Sequence, residues 1–225
     1  VIAPPRRRRG CDAELPTQNV VLCLHGEMPG VFCIDREFAF LPVVKQLRSN
    51  FPRLKIVMEH ITTKDAVDLV VSDGSDRLAA TITLHHLFLT LDDVIGDKIQ
   101  PHNFCKPVAK RPADRDALVQ IAVSDHPQFF FGSDSAPHAR ETKENACGCA
   151  GVYTAPVMLE LLVQFFEEHG SLSRLMDFGT HNAATFYCLG DNPEIEVVKE
   201  PWEVPSEIDG VVPFFAGRRV KWSIR

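Results

Sequence analysis

Three apolar runs in the sequence each end in a residue that can bind a metal ion. NVVLCLHGE carries His25 near its end, LKIVMEH carries His60, and QFFFGSD carries Asp134. Short apolar runs bounded by polar or turn residues indicate buried strands. Polar residues at the carboxyl ends of parallel strands meet at one face of an α/β barrel, and two imidazoles with a carboxylate suit zinc. The pattern therefore predicts a metal site at one edge of a parallel sheet.

Each of these residues also has a simpler interpretation. A single His after a strand is more often a satisfied core or loop residue, and Asp134 could cap a helix. His138 comes four residues after Asp134, beyond Pro137, and could be an exposed loop residue. Because three strands in one chain end in His, His and Asp, the metal site is favoured over these separate interpretations.

Strands and helices alternate along the rest of the sequence. Apolar runs predict strands at residues 20–24, 54–58 and 78–83, besides the run before Asp134. Helices are predicted near 36–49, 111–125 and 155–170, with a further helix near 172–177. Thr62 or Thr63 can cap a helix that carries Ala66 and Val70. Residues up to about Arg111 after the third strand are predicted to form a long loop, and the carboxyl terminus is predicted to be loop with one short strand. This order indicates an α/β fold with right-handed crossovers.

Composition indicates a globular protein of the cytoplasm. The 225 residues are 45% hydrophobic with a net charge of −6, which gives no reason to expect nucleic-acid binding. No apolar stretch approaches the roughly 18 residues of a membrane span. Seven scattered cysteines favour a reducing compartment, and Cys147 with Cys149, lacking a second pair, is weak evidence for zinc.

Several segments together carry a family resemblance. They are LHGE, IDREF, EHITTKDA, RLAATIT, HNFCKPVAKR, FGSDSAPHAR, ACGCAG and VPFFAGRRVKWS. From about Asn19 onward the chain resembles the carboxyl-terminal part of a class II dihydroorotase, the bacterial and fungal type within the amidohydrolase superfamily. DSAPHAR with CGCAG is the most specific part. The resemblance implies zinc-dependent, reversible cyclisation of N-carbamoyl-L-aspartate to L-dihydroorotate in pyrimidine synthesis.

The resemblance also implies a fold and a role for each candidate residue. The fold is the second half of a (β/α)8 TIM barrel, strands five to eight, with a short carboxyl-terminal extension. Of two zinc ions, the more exposed one is held by His25 and His60, and the buried one by Asp134, which also serves as general base and then acid. The substrate contacts His138 and the backbone of Ala150. Lys106 stands where bacterial members often have leucine, so a main-chain contact is implied and its side chain is interpreted as a solvated loop lysine.

The chain also departs from the family pattern. A His-x-His pair, an Arg and an Asn for the substrate carboxylate, and a carboxylated bridging lysine cannot be placed in it. His85 and His86 are adjacent, so they cannot copy the alternate spacing of that pair on one face of a strand. We therefore expect these 225 residues to be inactive alone. The alternatives are a non-catalytic dihydroorotase remnant, or another cyclic amidohydrolase of the hydantoinase or allantoinase type.

The domain organisation follows from where the resemblance begins. Residues 19–225 are predicted to be the carboxyl-terminal part of a metal-dependent hydrolase barrel, and residues 1–18 a disordered leader unrelated to the family. The Arg6 to Arg9 run could instead mark a nucleic-acid or nuclear-import patch. Homodimers are common in the family, so a homodimer that binds a small-molecule substrate is the implied assembly.

Overall fold

A four-stranded parallel sheet forms the centre of the fold. The computed structural model describes residues 20–190 and 194–225, so the predicted leader lies outside the described residues. The strands are β1 (Val21–Leu24), β2 (Lys55–Met58), β3 (Leu78–Ile82) and β4 (Phe129–Phe131), and they pair in chain order with parallel register. The predicted α/β class with a parallel sheet is confirmed.

Helices connect the strands and follow the last of them. They are α1 (Arg36–Asn50) before β2, α2 (Lys64–Asp73) before β3, then α3 (Leu84–Phe88), α4 (Asp92–Ile95) and α5 (Pro112–Ala122) before β4, and α6 (Arg140–Lys143), α7 (Met158–Glu168) and α8 (Asn182–Tyr187) after it. Antiparallel pairs join β5 (Val197–Val198) to β8 (Ser223–Ile224) and β6 (Trp202–Glu203) to β7 (Arg219–Val220).

Three parts of the sequence-based prediction need correction. The carboxyl terminus, predicted as loop with one short strand, contains the four short strands β5 to β8. The segment predicted as one long loop contains α3, α4 and a 3₁₀ turn at Pro101–Asn103. The hydroxyl of Thr83 caps α3 by accepting from the His86 N–H, and a helix of five residues is too short to show a hydrophobic period. The helix predicted near residues 172–177 is instead a 3₁₀ turn at Leu172–Arg174, followed by a π-helical turn at Asp177–His181.

The two faces of the sheet pack against different partners. Alternate side chains point to opposite faces, and the larger core lies on the face that includes Ile56 and Phe129. On the other face Val57 and Phe130 pack against Phe186 of α8. Lys55, the first residue of β2, donates to the carbonyl of Phe186 at 2.5 Å. That contact places α8 near the amino-terminal ends of the strands, away from their carboxyl-terminal ends.

Glu37 on α1 is a buried carboxylate that joins this helix to the start of α2. It accepts hydrogen bonds from the main-chain N–H and the hydroxyl groups of both Thr62 and Thr63. The Thr63 hydroxyl also caps α2 by accepting from the Ala66 N–H at 3.2 Å, as the sequence predicted. A negative charge at a helix amino terminus is further favoured by the helix dipole.

Replacing Glu37 with glutamine tests this connection. The amide of Glu37→Gln turns an acceptor oxygen into a donor that faces other donors, so we expect the free energy of unfolding to fall by about 2–4 kcal/mol. Urea unfolding followed by circular dichroism measures it. Asp68→Asn, on an exposed ion pair, is the control and should change it by less than about 0.5 kcal/mol. Equal effects of the two substitutions would contradict the interpretation.

Candidate active site

His25 and His60 face each other at the carboxyl edge of the sheet. Nδ1 of His25 lies 3.1 Å from Nε2 of His60. The other ring nitrogen of His25 lies 3.2 Å from Glu27 Oε2, and because a carboxylate only accepts, this nitrogen is the donor and Nδ1 presents its lone pair towards His60. A carboxylate behind an imidazole is the usual outer partner of a metal-binding His. Two nitrogens on one tetrahedral zinc lie about 3.3 Å apart, so the pair fits a shared cation.

Asp134 lies three residues beyond β4 at the same edge. Desolvation raises the pKa of its carboxyl group, although attraction by His60 and His25 opposes this rise. Burial lowers the pKa of His60, and the nearby Asp134 charge opposes that shift. A neutral imidazole has a lone pair for a metal, and a carboxyl group with a raised pKa exchanges protons closer to neutral pH. The two histidines are therefore in contact, and Asp134 lies near enough to interact electrostatically with both of them.

Two of these three residues have left-handed backbone conformations. The φ angles are 42° at His60 and 39° at Asp134, a region that residues other than glycine rarely adopt. Such conformations concentrate at functional sites, where the surrounding structure holds them. Asp134 caps no helix, because the next helix begins at Arg140. Its helix-capping interpretation is therefore wrong.

The loop after Asp134 is fastened to the segment that follows the CGC sequence. The N–H of Ala136 donates to the carbonyl of Val152 at 3.0 Å. The N–H groups of Thr154 and Ala155 both donate to the Ser135 hydroxyl, at 3.1 and 2.9 Å. These contacts hold the DSAPHAR and ACGCAG segments side by side.

Gly151 is the point of closest approach between these two segments. A Cβ atom at this position would stand 2.7 Å from Cβ of Ala136 and 2.9 Å from Cδ2 of His138, and the φ angle is 152°. Only glycine therefore fits here. Ala150, which is half-buried, precedes this contact directly. His138 and Ala150, the predicted substrate-binding residues, thus belong to adjoining segments.

The chain is similar in sequence to enzymes of one kind. A curated dihydroorotase from Pseudoalteromonas atlantica is 44% identical over 222 residues, which cover 95% of this chain and 64% of the relative. The chain is homologous to the dihydroorotases. A crystal structure of dihydroorotase from Saccharomyces cerevisiae, in complex with 5-fluoroorotic acid, matches with a TM-score of 0.87 at 40% identity over 92% of this chain and 63% of that one. No protein-family model matches the chain.

More distant structural neighbours share the fold alone. An L-hydantoinase from Arthrobacter aurescens has a TM-score of 0.74 at 16% identity, over 92% of this chain and 55% of that one. The neighbours are amidohydrolase TIM-barrel proteins. The resemblance to dihydroorotases predicted from DSAPHAR and CGCAG is confirmed. The chain matches 64% of the relative's length, which agrees with the prediction that it corresponds to one part of a dihydroorotase.

Lys143 is a buried residue beside the CGCAG loop that the sequence analysis did not single out. Its buried ammonium group donates to the carbonyls of Phe104, Cys149 and Gly151, at 3.2, 2.8 and 2.6 Å. The N–H of Gly151 also donates to the Phe104 carbonyl at 2.8 Å. These bonds connect the segment before Lys106 to the CGCAG loop. Lys143 stands in the polar stretch RETKEN, where nothing in the sequence distinguishes it from a surface lysine.

The adjacent residues His85 and His86 form a buried cluster with Cys105. Their potential ligand atoms lie within 4.8 Å of one another. His86 already contacts the Thr83 hydroxyl at 2.8 Å and the Pro107 carbonyl at 3.1 Å. Burial raises the pKa of the Cys105 thiol to about 12 in the absence of a metal. Both ring nitrogens of His86 are thus engaged, and the cluster is not assigned the place of a His-x-His pair.

His85 differs from its neighbours because neither of its ring nitrogens has a hydrogen-bond partner among the described residues. Burial lowers its pKa to about 3 from an ordinary value of 6.5. Below the ordinary pKa, the unfolded chain takes up a proton that folded His85 excludes. Above pH 6.5 His85 is neutral in both the folded and the unfolded chain, so it does not lower stability. As the pH falls from 6.5 towards 3, the free energy of unfolding decreases.

Thermal unfolding as a function of pH tests this assignment. Each pH unit below the ordinary His pKa costs up to about 1.4 kcal/mol per buried histidine. We expect His85→Leu to lose less stability than the parent between neutral and acidic pH, by up to about 1.4 kcal/mol for each pH unit. His181→Gln, at an exposed histidine, is the control and should keep the parent profile. An unchanged slope in His85→Leu would show that His85 is protonated in the folded state.

Proposed function

We propose that this chain contributes His25, His60 and Asp134 to the active site of a metal-dependent dihydroorotase. The reaction is the reversible cyclisation of N-carbamoyl-L-aspartate to L-dihydroorotate. One observation carries the proposal: His25 Nδ1 and His60 Nε2 lie 3.1 Å apart in a chain homologous to dihydroorotases over 95% of its length. The chain spans 64% of that relative's length, so the proposed activity belongs to the whole protein.

Zinc is the metal that these donors favour, since two neutral imidazoles and a carboxylate suit it. We assign His25 and His60 to the more exposed of two zinc ions and Asp134 to the buried one. No His-x-His pair occurs among these 225 residues and the family's bridging lysine cannot be placed in them, so the proposal has both supplied by the whole protein. When bound, zinc would polarise the ring carbonyl of the substrate and stabilise developing negative charge.

Asp134 is the proposed general base and acid. In the hydrolytic direction, water adds to the ring carbonyl carbon and the adjoining carbon–nitrogen bond opens. The Asp134 carboxylate accepts a proton from the water and returns it to the departing ring nitrogen, and cyclisation runs through the reverse transfers. Its position at the strand edge and the raised pKa of its carboxyl group support this role.

The substrate is proposed to lie against the adjoining DSAPHAR and CGCAG segments. His138 would bind it through the imidazole, while Ala150 and Lys106 would contribute main-chain groups. Support comes from the buried Lys143, whose bonds to the carbonyls of Cys149 and Gly151 hold the backbone on either side of Ala150. A prearranged loop loses little freedom when it binds. The exposed side chain of Lys106 favours the main-chain contact.

The sheet is proposed to form strands five to eight of an eight-stranded barrel, with the last residues as a short extension. The chain-order parallel pairing supports this, because barrel strands pair in that way. Within the described residues, β1 and β4 each pair on one side only. Further strands could therefore join both edges. A homodimer also remains a proposal.

The proposed location is the cytoplasm. Cys23, Cys33, Cys105, Cys147 and Cys149 form no disulfide, as expected in a reducing compartment. In the part of the chain that the structure describes, no helix has the length and apolar character needed to span a bilayer.

A substrate panel tests the proposed reaction. The protein expressed from its complete reading frame and loaded with Zn²⁺ is incubated separately with L-dihydroorotate, hydantoin and allantoin. We expect ring opening of dihydroorotate, with N-carbamoyl-L-aspartate as product, and at least about a hundredfold lower kcat/KM for the other two. Preference for hydantoin or allantoin would reassign the enzyme. No turnover of any of them with zinc bound would support a non-catalytic remnant.

Asp134→Asn tests the proton-transfer role in the same protein. The amide cannot accept the proton, so we expect kcat to fall by at least about a hundredfold. The fold should persist, because the residue lies at an exposed strand end. Asp76→Asn, at an exposed carboxylate before β3, is the control and should retain parent activity. Activity in Asp134→Asn above about a hundredth of the parent value would overturn its role as base and acid.

A further inference from the structure

We propose that Thr81 is a positioning residue that holds the backbone of His60 in the conformation needed for metal binding. This role rests on the proposed metal-dependent function of the site. Thr81 lies on β3, the strand between the ends that carry His60 and Asp134. The residue is buried, with a relative exposure of 5%. It acts through His60 and is not assigned any contact with substrate.

The Thr81 hydroxyl donates one hydrogen bond and accepts another. It donates to Oε2 of Glu59 at 2.7 Å and accepts from the main-chain N–H of His60 at 2.6 Å. Because a hydroxyl has one proton, the bond to Glu59 directs that proton away from His60 and presents a lone pair to its N–H. Glu59 therefore orients the hydroxyl, and the hydroxyl orients the peptide before His60.

The main chain of Thr81 holds the next peptide as well. Its carbonyl accepts from the Ile61 N–H at 3.0 Å. His60 is thus held through the N–H groups of the peptides on both sides of its Cα atom, while its φ angle is 42°. A left-handed conformation at a residue other than glycine persists only where neighbouring contacts hold it. These two bonds are such contacts, and in the conformation that they hold, Nε2 of His60 lies 3.1 Å from Nδ1 of His25.

Thr81 also lies against the strand that leads to Asp134. A Cβ atom on Gly132 would stand 2.7 Å from Cβ of Thr81, so glycine is needed for this approach. The N–H of Gly132 donates to the carbonyl of Ile82 at 3.2 Å. Thr81 therefore touches both strand ends that deliver predicted ligands, and its hydroxyl bonds act on the His60 side.

Two substitutions at Thr81 separate positioning from simple packing. Thr81→Val keeps the shape of the side chain and removes both hydroxyl bonds. Thr81→Ser keeps the hydroxyl and loses the methyl group. Packing alone would make valine the better substitute, whereas positioning makes serine the better one. Thr83→Val is the matched control, because Thr83 is also buried but its hydroxyl bonds to His86.

The first experiment measures Zn²⁺ affinity in the protein expressed from its complete reading frame, by competition with a chelator. We expect Thr81→Val to weaken Zn²⁺ binding about 10–100-fold, as loss of an outer hydrogen bond does at histidine metal sites, and Thr81→Ser to stay within about threefold of the parent. Thr83→Val should bind like the parent. Parent-like affinity in Thr81→Val, or equal weakening in Thr81→Ser, would overturn the proposal, as would a parent protein that binds no Zn²⁺.

A second measurement examines the same contact without metal. Hydrogen exchange of the His60 amide should be at least about tenfold faster in metal-free Thr81→Val than in the parent and should be restored in Thr81→Ser. Unchanged exchange in Thr81→Val would overturn the proposal. A parent protein that binds Zn²⁺ but does not turn over dihydroorotate would overturn the proposed reaction instead, and the Thr81 comparison would still stand.

Discussion

Parallel hydrogen bonding between four strands in chain order is the constraint on which the site depends. Because every strand runs in the same direction, residues distant in sequence arrive at one edge. His25 follows β1, His60 follows β2, and Asp134 follows β4, while β3 lies between the last two. β3 supplies no predicted ligand. It supplies Thr81, whose side chain and carbonyl bond to the peptides around His60.

Buried polar groups with several partners maintain the surroundings of this edge. Glu37 joins α1 to the start of α2, which follows His60 closely in the chain. Lys143 binds three carbonyl groups and joins the CGCAG loop to the segment before Lys106. A buried charge is tolerated when its hydrogen bonds are satisfied, and it then fixes one arrangement of the chain. The conformation of the site therefore depends on residues that need not touch substrate.

Much of the fold could be predicted because its elements have strong local patterns. The strands at Val21–Leu24 and Lys55–Met58 and the helix at Arg36–Asn50 lie within one or two residues of their predicted bounds. The failures have local causes as well. Helix α3 has five residues and depends on its Thr83 cap, and the π-helical turn at Asp177–His181 has no sequence pattern that distinguishes it from an ordinary helix.

By itself, the sequence determined which residues stand at the strand ends and which family the chain resembles, because apolar runs, polar ends and the DSAPHAR and CGCAG segments are local features. Only the tertiary structure decided how those residues meet. It places Nδ1 of His25 opposite Nε2 of His60 and gives His60 and Asp134 their left-handed backbones. It also buries Lys143 among carbonyl groups. The physical reason is that each arrangement depends on contacts between residues far apart in the chain, which no local pattern of apolar and polar residues specifies.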